Sequence, residues 1–569
     1  MAGLKFMVSL LAVAKATAAA LTRANPVVSV KNGSYEGLYL PAFNQDIFLG
    51  IPYAQDTGGA NRFRVPQSLD ETWNGTRAAK AYGPGCPDYY LSAEVLHGMS
   101  EDCLSINIVR PAGIYQDGGE TPLLPVMFWI HGGAYQYGGS AQTQYNLTYL
   151  VQKSVDIGLP IIGVSINYRK GGWGNMYSIE IQGSGNTNLA LRDMRKALAW
   201  VQENIENFGG NSSSVTIWGQ SAGSFAVGQL VMSYGGRTEG LFHRSIQESG
   251  SATTAWCNGS DWYQPIYKKI VDQVNCSSVP DTLECLRTID YDTLYPFLNS
   301  STTPGPGYYP TVDGDILPNY PSELLRAGRF AHIPHLYGTV SDEGTDNAPL
   351  GIDTDEELRT FLLQGVGFDF PGATVDHIME LYPDDPAQGV PVNTGEERFA
   401  DRGWQYKRVA AIVGDIFYHG PRRFDAKNYI KYSPTYTYRF NTRPWESTSS
   451  NATGANNSTT ISGGELVPAY KGVEHFSEVA FVFANPTTVG PWPEYRKLSD
   501  QLSSQWIRFA YTGDPNGPGL PQWPQYNEAE NGVNLVLQTE AQGGSYVEDD
   551  IYRLAGREYL TQWSRRRHV

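Results

Sequence analysis

The sequence predicts an α/β fold: one large central sheet, mostly parallel, with helices on both faces and an antiparallel N-terminal lead-in. Two nearly unbroken apolar runs carry this reading, Leu124-Pro125-Val126-Met127-Phe128-Trp129-Ile130 and Pro160-Ile161-Ile162-Gly163-Val164-Ser165-Ile166-Asn167-Tyr168. Neither shows the in-and-out alternation of a half-exposed strand, so both faces must be covered, as in parallel sheets under crossover helices. From about residue 100 strand, loop and helix patterns recur in that order. No internal repeat and no long polar linker divides the 569 residues. Residues 21–569 therefore read as a single domain, although length alone would allow roughly two to four.

In chain order, residues 1–20 carry Lys5, the apolar run Phe6-Met7-Val8-Ser9-Leu10-Leu11-Ala12-Val13-Ala14 and small residues offering Ala-x-Ala cleavage sites, the pattern of a secretory signal peptide. Val27-Val28-Ser29-Val30-Lys31 and Tyr35-Glu36-Gly37-Leu38-Tyr39-Leu40 flank Asn32-Gly33, a strong hairpin signal. Ile47-Phe48-Leu49-Gly50-Ile51 follows as a third antiparallel strand, and residues 103–109 open the strand, loop and helix repetition of the parallel part. Residues 188–201 space their apolar side chains for a helix, with Asn188 placed to cap it. The β-branched run Ser214-Val215-Thr216-Ile217-Trp218 comes next, and residues 242–250 and 335–340 read as further strands. Helices and loops fill 355–430, and the Ser/Thr/Asn/Gly-rich stretch 446–464 reads as a flexible, glycan-bearing loop.

Composition narrows the function classes. With 41% hydrophobic, 18% charged and 12% aromatic residues, the chain can bury a core. A formal net charge of −16 argues against nucleic-acid or anionic-membrane partners, which need a basic face. No segment after the leader reaches the roughly 18 apolar residues of a membrane span, so stable membrane insertion is not expected and secretion is. Of five cysteines, spacing favours pairing Cys86 with Cys103 and Cys276 with Cys285, leaving Cys257 free. Sequons at Asn32, Asn74, Asn146, Asn211, Asn258, Asn275, Asn299, Asn451, Asn456 and Asn457 suggest surface glycosylation.

The chemistry centres on Gly219-Gln220-Ser221-Ala222-Gly223, which joins a strand to the helix-compatible run Phe225-Ala226-Val227-Gly228-Gln229-Leu230-Val231-Met232. A strand turning sharply into a helix through Gly-x-Ser-x-Gly lifts the serine Oγ clear of the sheet, a nucleophile elbow with Ser221 as nucleophile. A serine needs a histidine to take its proton and an acid to orient that histidine, in the chain order Ser, acid, His. Among the later histidines, His377 sits in a helical run, His568 in the tail, and His419 before Gly420-Pro421 as a core or capping residue. Only His475 lies in a glycine-introduced loop, leading into what reads as a strand from Val479. For the acid, the loop after residues 335–340 offers both Asp342 and Glu343. His131-Gly132-Gly133-Ala134-Tyr135, directly after the apolar strand ending at Ile130, can supply backbone N–H donors for an oxyanion hole together with Ala222. None of this requires a metal or cofactor.

Phe48-Leu49-Gly50-Ile51-Pro52-Tyr53-Ala54, Arg62-Phe63-Arg64-Val65-Pro66, Glu101-Asp102-Cys103-Leu104-Ser105-Ile106-Asn107, His131-Gly132-Gly133-Ala134, Gly219-Gln220-Ser221-Ala222-Gly223, Asp342-Glu343-Gly344-Thr345 and Gly472-Val473-Glu474-His475 occur in this order over nearly the whole chain. The set resembles the type-B carboxylesterase/lipase family. The resemblance implies an α/β-hydrolase fold, Ser221 as nucleophile, Glu343 as acid, His475 as base, Gly133, Ala134 and Ala222 as oxyanion donors, and the disulfides Cys86 to Cys103 and Cys276 to Cys285. It also implies a small-molecule ester as substrate.

Two departures bear on which ester. The loop between Cys86 and Cys103, which in related lipases holds a mobile lid and in cholinesterases a cation-binding Trp, is short and carries Tyr89 and Tyr90 but no Trp. A large lid has little room and a choline site loses its aromatic support, which favours an esterase over an interfacial triacylglycerol or sterol-ester lipase. Ala134 stands where related lipases carry Gly, adding a methyl near the carbonyl. This fold also has non-catalytic adhesion relatives, which typically lack the nucleophile present here.

Overall fold

The computed structural model describes residues 23–89, 97–113, 122–255, 257–298, 307–365, 368, 370–447, 464–527 and 531–564. The predicted leader at 1–20, Tyr90, the sequons at Asn299, Asn451, Asn456 and Asn457, His568 and most of the stretch 446–464 lie outside the described residues.

β1 (Val27–Val30) and β2 (Gly33–Glu36) pair antiparallel across a two-residue turn at Lys31 and Asn32, one residue earlier than the Asn32-Gly33 signal placed it, with β5 (Thr76–Ala78) parallel to β2. The run from Tyr35 to Leu40 is not one strand as its pattern suggests. Gly37 breaks it: a Cβ there would lie 2.3 Å from the Ile47 carbonyl oxygen. Beyond the break, β3 (Leu38–Leu40) joins a separate eleven-stranded sheet with β4 (Gln45–Pro52), β6 (Ser105–Pro111), β7 (Leu124–Ile130), β8 (Ile162–Ile166), β9 (Gly210–Gln220), β10 (Arg244–Glu248), β11 (His335–Val340), β12 (Thr435–Phe440), β15 (Val533–Leu537) and β16 (Tyr546–Asp549). Its order is β16-β15-β12-β11-β10-β9-β7-β8-β6-β4-β3. The pairs β3/β4, β4/β6, β6/β8 and β15/β16 are antiparallel and the rest parallel. A two-stranded ribbon, β13 (Trp445–Ser447) with β14 (Gly464–Leu466), closes the base of the 446–464 loop.

The unalternating apolar strands have the predicted cause. Every residue of β7 and β8 is buried, and because successive side chains point to opposite faces, β7 feeds two cores. Val126, Phe128 and Ile130 pack on one side of the sheet, Met127 and Trp129 on the other. Cys86–Cys103 and Cys276–Cys285 are disulfide-bonded, and Cys257 is free and buried. Among the described residues no helix is long and apolar enough to cross a membrane.

Two further local expectations are corrected. Asn188 precedes the helix Leu189–Asn204 but does not cap it through its side chain. That side chain instead exchanges hydrogen bonds with the backbone of Thr311, donating to its carbonyl oxygen at 2.8 Å and accepting from its N–H at 2.8 Å. The apolar run after His475 is the short helix Val479–Val482, not a strand. Val479, Phe481, Val482 and Phe483 all enter the core beside Trp129 and Trp218, and a short apolar run does not by itself distinguish the two geometries.

Candidate active site

Ser221 stands between β9 and the helix Ala222–Met232, at φ 56° and ψ −126°. A non-glycine residue in this region is strained, and its surroundings impose it: Ser221 N–H donates to the Glu248 carbonyl at 2.9 Å while its own carbonyl accepts from Phe225 N–H at 2.9 Å. Both flanking glycines are sterically required. A Cβ on Gly219 would sit 2.6 Å from backbone atoms of Gly223, and one on Gly223 would sit 2.1 Å from the Ile130 carbonyl oxygen. The helix behind is buried at every position, so its N-terminus is fixed facing the site.

β7 delivers the loop His131-Gly132-Gly133-Ala134 beside this elbow. Here the Gly133 carbonyl accepts from the N–H groups of Gln136 at 2.8 Å and Tyr137 at 3.0 Å. Across a trans peptide the following N–H points the opposite way, so this pinning turns Ala134 N–H away from the loop's own turn. Gly133 and Ala134 hold positive φ, 106° and 51°. Among the described residues the N–H groups of Gly133, Ala134 and Ala222 donate no backbone hydrogen bond.

Glu343 and His475, 132 positions apart, meet directly. Glu343 follows β11, is fully buried, and accepts from Val340 N–H at 2.9 Å and from His475 Nδ1 at 2.7 Å. A carboxylate acceptor on Nδ1 places the imidazole proton there and leaves Nε2 as the acceptor. Nε2 lies 3.3 Å from the side-chain nitrogen of Gln220, the residue before Ser221. Burial disfavours the charged imidazole, but Glu343, with Glu478 and Asp346 adding, overrides it and raises the His475 pKa above 6.5.

Asp342, the other acid the loop offered, has a different task. Its carboxylate accepts the N–H groups of Val473 at 2.7 Å and Val392 at 2.8 Å, tying the His475 loop to β11. Burial pushes its pKa up to about 6 even against these donors. Of the other histidines, His419 is buried between Thr339 and Tyr552, and His377 pairs with Glu380 on the surface. Neither hydrogen-bonds Glu343 or Gln220, as His475 does, and no described hydrogen bond joins Ser221 Oγ to any histidine.

Several neighbours escaped the sequence reading. Gln220 faces His475 Nε2, and the Tyr418 ring lies 4.8 Å from the imidazole. Glu478, three residues after His475 and at the N-cap of the helix Val479–Val482, accepts from Ser249 Oγ at 3.2 Å. Glu248 accepts from the indoles of Trp218 at 2.5 Å and Trp506 at 2.6 Å. Burial first, and then neighbouring carboxylates, push both glutamates above the ordinary range. Adjacency to Ser221 and the three-residue step from His475 were the only signals available for Gln220 and Glu478.

The chain compares closely with known proteins over its length. Residues 24–551 match the model of the carboxylesterase family. Lipase 2 of Geotrichum candidum is 32% identical over 559 residues, covering 90% of this chain and 91% of the lipase. An inactive carboxylesterase-like protein of Byssochlamys spectabilis, VdtD, is 32% identical over 81% of this chain and 79% of its own length. The crystal structure of Aspergillus niger EstA superposes with a TM-score of 0.78 at 27% identity, covering 96% of this chain and 99% of that one. With the sheet, the elbow and these matches in agreement, the chain belongs to the carboxylesterase family of carboxylic-ester hydrolases.

Proposed function

We propose that the protein is a secreted serine esterase that cleaves its substrate through an acyl-enzyme on Ser221. The observation that carries this reading is the Glu343–His475 hydrogen bond at 2.7 Å, with Nε2 of that histidine turned to the elbow. Ser221 Oγ attacks the ester carbonyl as its proton passes to His475 Nε2, and the N–H groups of Gly133, Ala134 and Ala222 receive the oxyanion. His475 returns the proton to the departing alkoxide, and water, activated by the same nitrogen, hydrolyses the acyl-enzyme. Because an inactive relative exists in the family, presence of the fold is insufficient and the site must be tested directly. A fluorophosphonate is expected to label one residue, Ser221, stoichiometrically, with parallel loss of p-nitrophenyl butyrate hydrolysis. Peptide mapping that places the label elsewhere contradicts the assignment.

The described part of the Cys86–Cys103 loop favours an esterase over an interfacial lipase. Tyr89 is held on two sides, its hydroxyl donating to the Tyr295 carbonyl at 2.6 Å and accepting from Trp173 Nε1 at 3.3 Å. Its ring lies 4.4 Å from that of Tyr295. A loop stem anchored this way resists the large swing of a lid. Rates on tributyrin are therefore expected to rise smoothly through its solubility limit; a sharp rise at that limit supports the lipase reading that the Geotrichum relative's name suggests.

The leader and the two disulfides support export. The described sequons differ in how they use their amides. Asn32 donates both Nδ2 hydrogens, to the carbonyls of Leu69 at 3.1 Å and Glu71 at 2.9 Å, and a glycosidic bond would replace one. Asn146 and Asn211 use only Oδ1, accepting from Thr148 and Ser213 N–H. Glycopeptide mass spectrometry of protein secreted from a eukaryotic host is expected to find glycan on Asn146 and Asn211 and none on Asn32.

A further inference from the structure

The oxyanion loop is held from behind by the segment that leaves β8. Tyr168 donates its hydroxyl to the His131 carbonyl at 2.8 Å, and its ring stacks on His131 at 4.4 Å. Gly171 N–H donates to the Tyr135 carbonyl at 2.6 Å. Between them, the Lys170 ammonium donates to the Gly138 carbonyl. Carbonyls at the start, middle and end of the loop are thus all taken by residues 168–171. Each carbonyl so engaged fixes the orientation of a peptide plane, and hence of the N–H on its opposite side.

Lys170 is the unexpected member. Its side chain is 1% exposed, and burying an ammonium is costly unless it is paired. The partner is Asp88, fully buried two residues after Cys86, with Oδ2 3.2 Å from Lys170 Nζ. The same carboxylate oxygen also accepts Gly138 N–H at 3.3 Å. The ion pair therefore grips Gly138 by both sides of its backbone, N–H to Asp88 and C=O to Lys170. Gly138 itself has no slack: at φ 100°, a Cβ would lie 2.8 Å from the Gly132 carbonyl oxygen and 2.9 Å from His131 Nδ1. A shift at Gly138 is thus transmitted directly to the residues beside Gly133.

We propose that Lys170, charge-balanced by Asp88, is a positioning residue for the oxyanion hole, and that through this pair the disulfide loop helps hold the Gly133 and Ala134 N–H groups on target. The role rests on the reading that those N–H groups receive the oxyanion. It concerns the transition state more than the bound ester, because the donors must match where charge develops.

The test uses Lys170→Met and the double variant Lys170→Met/Asp88→Leu, which removes both charges and leaves no unpaired carboxylate. Competent sites are counted by the p-nitrophenol burst, so that partial misfolding is divided out. Affinity for an aryl trifluoromethyl ketone is measured alongside; Ser221 Oγ adds to its carbonyl carbon, the proton passes to His475, and the former carbonyl oxygen becomes the anion in the hole. In both variants kcat per titrated site is expected to fall about 10- to 100-fold. KM for p-nitrophenyl butyrate is expected to stay within about 3-fold, and the ketone to bind more weakly by the same factor as kcat/KM falls. Native kcat per site in the folded double variant overturns the proposal, as does a fall in kcat/KM without a matching loss of ketone affinity. Failure of the underlying reading shows separately, in otherwise native protein, as ketone affinity unchanged by Ser221→Ala.

Discussion

Ser221→Ala is expected to bring hydrolysis of p-nitrophenyl butyrate close to background, a fall in kcat of about 10⁴- to 10⁶-fold. In the proposed mechanism the Ser221 hydroxyl forms the acyl bond, and the nearest serine in sequence does not replace it: Ser224 is fully buried with its hydroxyl donated to the Gly250 carbonyl at 2.6 Å. Alanine fits the Ser221 backbone, whose strained φ is set by hydrogen bonds to Glu248 and Phe225 and not by the side chain, so the melting temperature should change little. Residual rate above water is expected from the oxyanion donors, which remain. Steady-state kinetics on homogeneous variant decide the matter, and a loss of less than tenfold removes Ser221 from the nucleophile role.

Glu343→Gln is expected to lower kcat about 10³- to 10⁴-fold and to move the acid limb of the pH profile. Glutamine can still accept Val340 N–H through its oxygen, but it then presents an NH2 group to His475 Nδ1. Nδ1 must become the acceptor and Nε2 must carry the proton, the tautomer that cannot take one from Ser221. The sign of the pH effect follows from the native pKa. His475 acts as a base only when neutral, so kcat/KM falls as pH drops through its pKa. In the native protein that pKa is raised above the ordinary imidazole value by Glu343 against the effect of burial, so the acid limb is expected at higher pH than a free imidazole would give. With the carboxylate removed burial dominates and the limb moves to lower pH. A kcat/KM profile from pH 5 to 9 checks both claims, and an unmoved limb identifies a titrating group other than His475.

Much of this was legible because it is local. The unalternating run 124–130 announces a strand covered on both faces, and β7 is buried throughout. The hairpin formed where Asn32-Gly33 announced one, but its two turn residues are Lys31 and Asn32, and Gly33 is already paired with Val30 in β2. The elbow is equally local, since the clash of a Cβ at Gly219 or Gly223 involves atoms close in sequence or on the adjoining strand. Where a side chain's partner is distant, residue type alone misled. Asn188 precedes a helix and has capping chemistry, yet Thr311 claims its side chain. The run after His475 has strand-forming residues, yet it packs as a helix because Trp129 and Trp218 offer an apolar surface there.

The strand-to-helix turn at Ser221, the loop 131–134 that precedes it and the chain order of the proposed nucleophile, acid and histidine were legible in the sequence itself, because turn sterics and strand patterning act over a few residues. Only the tertiary structure separated Asp342 from Glu343 by contact. Adjacent side chains of similar chemistry diverge there because β11 sends one to the backbone of Val473 and Val392 and the other to His475. Only the tertiary structure, likewise, brought Asp88 and Lys170 together across 82 positions behind the oxyanion loop. A buried charge pair is specified by distance and dielectric, and neither is written in the spacing of residues along the chain.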